Sequence, residues 1–376
     1  MDVQIKEVLT PKELKKFILF PFTLYRGNPY WVPNLVSDDI NTLSRDKNPA
    51  FEMCEARYWL AYRDGQIVGR VAAILNHPHI EKWGQKYMRF GWLDFIDDPA
   101  VSEALLKTVE GWAKEKGLEA VHGPLGFTDM DREGMLVDGF DELATMATYY
   151  NHPYYPQHME KLGYGKDIDW VEYEISMPSE PDEKIARMAD IVARRNKLHI
   201  QDVKNKKELL SYAHKLFELL EAEYAKLYGT VPLTKRQVDA YIKQYFGFVT
   251  PDFIPLVMDE NNNMVAFGIA LPSLSKALQK SKGSLFPFGF IPLLGALKKN
   301  DRMDLYLIAI KSEYQGKGVN AMLMNSLYNV FLKMGVKKIE TNPELETNHL
   351  VRGQWKYFET RQHKRRRVFL KKVGKE

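Results

Sequence analysis

One cysteine, Cys54, stands in a chain of 376 residues, so no intramolecular disulfide can form. Such usage fits a reducing compartment. Long apolar runs are missing as well, and a bilayer-spanning helix needs roughly 20 apolar residues. The nearest approach, "LFPFGFIPLLGAL" (285–297), is short and interrupted by Pro287, Gly289 and Pro292. The opening "MDVQIKEVLT" has no apolar centre of the kind a secretory signal carries. These absences predict a cytoplasmic protein with no membrane span. Neither sign of charge dominates: 53 Lys and Arg against 49 Asp and Glu leave +4, which by itself calls for no nucleic-acid partner. Common catalytic signatures are missing too. No His-Glu-x-x-His helix occurs, "HPH" (77–79) has no third ligand nearby, and there is no Gly-x-Ser-x-Gly elbow. "DMDREGMLVDGF" (129–140) opens like a calcium loop but places Phe140 where a bidentate Glu is required. No metal is expected.

What remains, 45% apolar and 27% charged residues, is the composition of a globular protein with room for two domains. The chain reads as one pattern written twice. In the first half a strand (3–9) and helical material (11–25) precede the hairpin "YWLAYRDGQIVGRVAAILN" (58–76), turned at Asp64-Gly65. A strand, "MRFGWLDFI" (88–96), then leads to a helix from about Val101 to Lys116, with Val101, Leu105, Val109 and Trp112 on one face. The second half repeats the order: a strand at 198–204, helices at 206–227 and about 234–246, then the hairpin "FIPLVMDENNNMVAFGIAL" (253–271). An insertion (272–300) follows, then the strand "DLYLIAI" (304–310), a glycine turn and a firmly periodic helix. This order predicts two α/β domains, 1–176 and 198–376, joined by a charged linker helix, 177–197.

The glycine turn, "SEYQGKGVNAML" (312–323), is the main chemical signal. Glycines between a strand and a helix let backbone N–H groups approach an anion, and the helix N-terminus adds partial positive charge. Gly316, Gly318 and Ala321 satisfy a dinucleotide-binding pattern, with Glu340 about where a ribose-binding acid belongs. Against that reading, "KSEYQ" separates the strand from the first glycine, and too little chain follows to continue a doubly wound sheet. A turn that holds no ligand is the plainer alternative.

With its five extra residues, "IKSEYQGKGVNAML" (310–323) resembles the pyrophosphate loop of the GNAT acetyltransferase superfamily, Gln/Arg-x-x-Gly-x-Gly/Ala after a strand. Gln315 and Gly318 match; Asn320 replaces the second small residue. "NHPYYPQHMEKLGY" (151–164) and "ETNHLVRGQWKYF" (346–358) are weakly similar to a further region of that family, one in each half. The resemblance implies two tandem domains, each a mixed, mostly antiparallel sheet flanked by helices. It implies acetyl-coenzyme A or another acyl-coenzyme A as donor, bound by Gln315, Gly316, Lys317, Gly318, Val319 and Asn320, with Asn348 and Trp355 nearby. Backbone of Ile308, Ala309 and Ile310 would polarise the thioester.

The family's thiolate-protonating tyrosine falls at Trp355, leaving Tyr306, Tyr314 or water for that role. Glu340 is the first candidate base, with Glu344 and Glu346 next. Glu223, Tyr224 and Tyr228 fall where the family closes over its acceptor, a small-molecule or peptide amine. In the first half the equivalent stretch, "DFIDDPAVSEAL" (94–105), has no glycine and puts Asp97 and Asp98 where a pyrophosphate would sit. That copy is expected to be degenerate and to bind no coenzyme. The basic run "RQHKRRRVFLKK" (361–372) reads as a solubilising edge strand or a contact for phosphate or RNA. It keeps open a Fem-like, aminoacyl-tRNA-dependent transferase, and a non-catalytic binding protein is the third reading.

Overall fold

A computed structural model describes residues 2–374 other than 181 and 248. Contacts divide the chain into two units: Met1–Val171 with Leu274–Leu293 and His363–Glu376, and Glu172–Ser273 with Leu294–Gln362. In the first unit, alternating apolar residues on either side of Asp64-Gly65 build the hairpin Cys54–Arg63 with Gln66–Asn76. Both turn residues take positive φ (50° and 76°), as the tight mirror-image hairpin turn demands. Gln4–Glu7 pairs outside the hairpin, and Tyr87–Phe95 pairs antiparallel on its other side. Tyr87–Phe95 in turn runs parallel to Ala120–Gly123. The helix Pro99–Glu115 covers one face through Val101, Leu105, Val109 and Trp112, packed with Trp59, Val71, Phe90 and Phe95. Pro11–Leu24 covers the other through Phe17 and Ile18, packed with Tyr58, Ile74 and Trp92.

The second unit repeats the plan. Leu256–Met258 and Met264–Pro272 form the hairpin, Arg302–Ile310 pairs antiparallel with the latter, and Lys338–Thr341 lies parallel to Arg302–Ile310. The helix Val319–Met334 buries Leu327 and Phe331 with Met303 and Ile339, and Val319, Met322 and Leu323 with Val257 and Val265. In both units the strands are therefore mixed, mostly antiparallel and flanked by helices. Each also has a bulge in the strand that precedes the turn. Register shifts opposite Val71 in the first unit, where Trp92 holds φ at 43°, and at Tyr306 in the second.

Two expectations need correction. The segment 177–197 is no linker: its helix, Glu183–Asn196, belongs to the second unit and buries Ala189 and Val192 against Val319, Met322 and Leu323. Two small apolar residues in a charged stretch suffice, because the partner helix approaches closely. The basic run is no edge strand either. Thr360–Lys372 lies between Ala120–Gly123 and Gly165–Ser176 in the strand order, and from His363 onward it counts with the first unit. Its cations are accommodated by carboxylates: Arg365 and Arg367 bind Asp169, Lys371 binds Glu110, and Arg361 binds Glu174.

Candidate active site

All the residues implied for coenzyme binding lie in the second unit. Parallel pairing of Arg302–Ile310 with Lys338–Thr341 ends at Leu305 and Thr341. Asn342 closes the ladder, its N–H donating to Leu305 O (2.9 Å) and its amide to Tyr306 O (3.2 Å). From Leu307 onward the strand keeps only its antiparallel neighbour, so one edge of its backbone opens. Residues alternate in which edge they face. Lys311 donates to Val265 O (2.9 Å), toward the neighbouring strand. Gly268, opposite Ile308, turns its own N–H away to Pro255 O (3.2 Å). Ile308 and Ile310 therefore face the open edge, whereas Ala309 faces the sheet. The carbonyl oxygens agree: Ile308 O accepts from Tyr224 Oη (3.0 Å) and Ile310 O from Gln315 Nε2 (2.9 Å).

After the strand, Ser312–Tyr314 makes one tight turn, and Gly316 (φ 72°) and Gly318 (φ 83°) swing the chain into the helix Val319–Met334. Lys317 N donates to Tyr314 O (3.3 Å) and Ala321 N to Gly318 O (2.9 Å). Among the described residues, no acceptor meets the N–H groups of Gly316, Gly318, Val319 or Asn320. Unspent donors at Gly318, Val319 and Asn320, where a sixteen-residue helix begins, and at Gly316 just before it make a nest of the kind that suits an anion. Asn320 is only half-buried, so its side chain does not fill the nest by force of packing. The ammonium of Lys317 sits 5.4 Å from the centre of the Tyr314 ring.

Glu223 plays a part that the sequence did not suggest. Its carboxylate accepts from Ser312 N (2.9 Å), Ser312 Oγ (2.8 Å) and Gln315 Nε2 (3.0 Å), tying the helix Lys206–Tyr224 to the turn. It is a loop-positioning residue, and Gln315 is spent on the same clamp. An open cleft of about 650 Å³ lies beside them, lined among others by Lys215, Glu218, Glu223, Lys311 and Ser312. Glu223→Ala should raise the KM for an acyl-coenzyme A roughly five- to tenfold with kcat nearly kept, as loss of uniform binding does. Steady-state kinetics check this.

Tyr306 sits half-buried on the bulge at the mouth of the open edge, and Tyr228 lies half-buried in the turn beyond Tyr224. Glu340 is buried in register between Asp304 and Glu174. Asn348 caps the short helix His349–Arg352, accepting from Val351 N (3.3 Å). Trp355 is 4% exposed, packed with Met324, Phe331 and Phe358. Its indole N–H donates to Glu344 Oε1 (2.8 Å). The other carboxylate oxygen of Glu344 is buried and, among the described residues, meets no hydrogen-bond partner. Burial raises the Glu344 pKa to about 7, against the opposing hydrogen bond from Trp355 and the charge of Arg352. Glu344 can therefore exchange a proton near neutral pH. Nothing in the spacing of Glu344 and Trp355 signals this; it arises because folding takes the carboxyl out of water.

In the first unit the corresponding helix start is filled by acids. Asp97 holds His158 Nε2 (2.9 Å), while Asp98 binds Arg63 and caps Ala100 N (2.9 Å). The Arg63 guanidinium holds the Asp98 carboxyl below its usual range, so it stays ionised.

A strand splayed from its parallel neighbour, a glycine turn and an unspent helix N-terminus define an acyltransferase of the GNAT class. Residues 213–353 match the acetyltransferase (GNAT) family, and the chain belongs to that superfamily as a tandem-domain member. It is 30% identical to protein YghO of Escherichia coli over 378 residues, covering 98% of this chain and 95% of that one. It is 27% identical to the bacterial ceramide synthase of Caulobacter vibrioides over 365 residues, covering 92% and 91% of the two chains. Among solved structures, the fold is shared with a tandem GNAT protein from the clavulanic acid biosynthesis pathway (TM-score 0.57, 11% identity, all of both chains). It is shared too with a GCN5-related N-acetyltransferase from Sphaerobacter thermophilus (TM-score 0.54, 11% identity, 99% and 96% covered).

Proposed function

We propose that the second unit binds an acyl-coenzyme A and transfers its acyl group to the amine of a long-chain amino alcohol. The observation that carries the donor assignment is the row of free N–H groups at Gly316, Gly318, Val319 and Asn320, suited to a pyrophosphate. Lys317 adds positive charge at the same turn. The acceptor class follows the Caulobacter vibrioides relative, a ceramide synthase. In this reading the Ile308 N–H, at the open edge, stabilises the oxyanion that develops on the thioester carbonyl. The amine nitrogen forms the new C–N bond as the C–S bond breaks. Glu344 takes the amine's proton, and Tyr306, on the bulge where the edge opens, protonates the thiolate; Tyr314 is engaged with Lys317.

The paired cations of 361–372 count against a tRNA-dependent transferase, because few are left to meet a phosphate backbone. Thiol release from a panel of acyl-coenzyme A donors, with long-chain amino alcohols set against short polar amines, tests the proposal. Release that depends on the long-chain amine is expected. No release with any pair, together with no acetyl-coenzyme A binding by calorimetry, would overturn it. Calorimetric saturation is expected at one coenzyme per chain, since Asp97 and Asp98 close the first unit's helix start to phosphate; saturation at two would refute the asymmetry.

A further inference from the structure

The insertion has a chemistry that acyl transfer does not use. From Ser273 to Asn300 it contains no carboxylate, while Lys276, Lys280 and Lys282 precede its apolar centre and Lys298 and Lys299 follow it. All five lysines are exposed. The base of the segment is built into the first unit. Leu274, Ala277 and Leu278 are buried, Gln279 Nε2 donates to Pro29 O (2.8 Å) and Trp31 O (2.9 Å), and Val36 N donates to Gly283 O (2.9 Å). Gly283 could not be otherwise: a Cβ there would lie 2.5 Å from Asn34 O. On this fixed base stands an apolar tip, with Phe286 79% and Phe288 71% exposed, and Phe290 and Ile291 also open to solvent.

We infer that this tip is a membrane-docking element that seats in the interface of an anionic bilayer. Charge complementarity selects that occupant: lysines without a compensating carboxylate flank the aromatic residues on both sides in sequence. Basic residues at headgroup level with apolar side chains below them are the arrangement by which peripheral proteins lie on anionic membranes. No helix among the described residues is long and apolar enough to cross a bilayer, so the tip enters one leaflet only. The inference rests on exposure and charge and does not need the proposed acyl transfer to be correct.

Flotation of the full chain with phosphatidylglycerol–phosphatidylethanolamine vesicles, without acyl-coenzyme A, tests it. Binding is expected to these vesicles, to weaken steeply at high salt, and to be nearly absent from phosphatidylcholine vesicles. The pair Phe286→Ser and Phe288→Ser should lower the partition coefficient more than about tenfold, given the area that two aromatic side chains bury. Replacing Lys276, Lys280 and Lys282 with Gln should lower it comparably on anionic vesicles. Unchanged thermal unfolding would show the variants folded, since the tip is exposed. Wild-type protein that stays unbound, or serine variants that float as well as wild type, would overturn the inference. So would sedimentation showing self-association that the serine variants abolish, because the tip would then be a contact between copies of this chain.

Discussion

Gly316→Asp should weaken binding of acetyl-coenzyme A by more than about tenfold, while Gly316→Asn should weaken it far less, because a charge placed about 5 Å from a phosphate costs about 3 kcal/mol at an effective dielectric of about 20, before screening. The two substitutions are nearly the same shape. Asn and Asp are also the residues that best tolerate positive φ, which Gly316 holds at 72°. Nothing lies within 4 Å of a Cβ built at Gly316, so either side chain enters open space at the mouth of the nest. Gly318 would make a poorer test. A Cβ there would meet Val192 Cγ2 at 2.9 Å, so a substitution would push on the helix Glu183–Asn196 as well as on a ligand. Titration calorimetry of both Gly316 variants separates charge from shape. Equal affinities for the Asp and Asn variants would remove the pyrophosphate from this loop.

The second large effect is expected at Glu344. If it accepts the proton of the attacking amine, Glu344→Gln should lower kcat/KM by roughly a hundred- to a thousandfold. The pH profile should change shape as well. Wild-type activity should rise through about pH 7 as the carboxylate ionises, and that limb should vanish in the variant. Stability should move the other way. The folded pKa, about 7, lies above the ordinary 4.5, so the folded protein holds this proton more tightly than the unfolded chain. Its contribution is therefore complete below the ordinary value and is lost as pH rises toward 7, at about 1.4 kcal/mol for each pH unit between the two. Glu344→Gln should accordingly gain in melting temperature relative to wild type more at pH 8 than at pH 5. A variant with normal activity would return the role to Glu340 or to water.

What the sequence revealed and what it concealed divide along the distance between interacting residues. The hairpin at Asp64-Gly65 and the glycine turn are local: a few neighbouring residues specify the backbone, and both stand where expected. Glu223 was visible as a polar residue near the site, but its clamp on Ser312 spans 89 positions and leaves no periodic trace. The helix Glu183–Asn196 passed for a linker because its packing uses only Ala189 and Val192. The basic run misled for a related reason. Charge density on a strand suggests exposure, yet each paired cation finds a carboxylate far away in sequence, as Lys371 does at Glu110 across 261 positions. Glu344 shows the limit most sharply. Its type and rough place were legible, whereas its proton affinity depends on burial, which only the folded chain creates.

The placement of the last strand also sets an order of events at the ribosome. Asp169 is almost fully buried, and the arginines that neutralise it, Arg365 and Arg367, follow 196 and 198 residues later. Lys371 reaches Glu110 only after a further 261 residues have been made. The first unit is thus completed only after the residues of the second have been made. Until residues 360–372 emerge, the strand Gly165–Ser176 lacks one neighbour and Asp169 has only Lys166 as a counter-charge, a nascent state with an open edge that the folded protein no longer has.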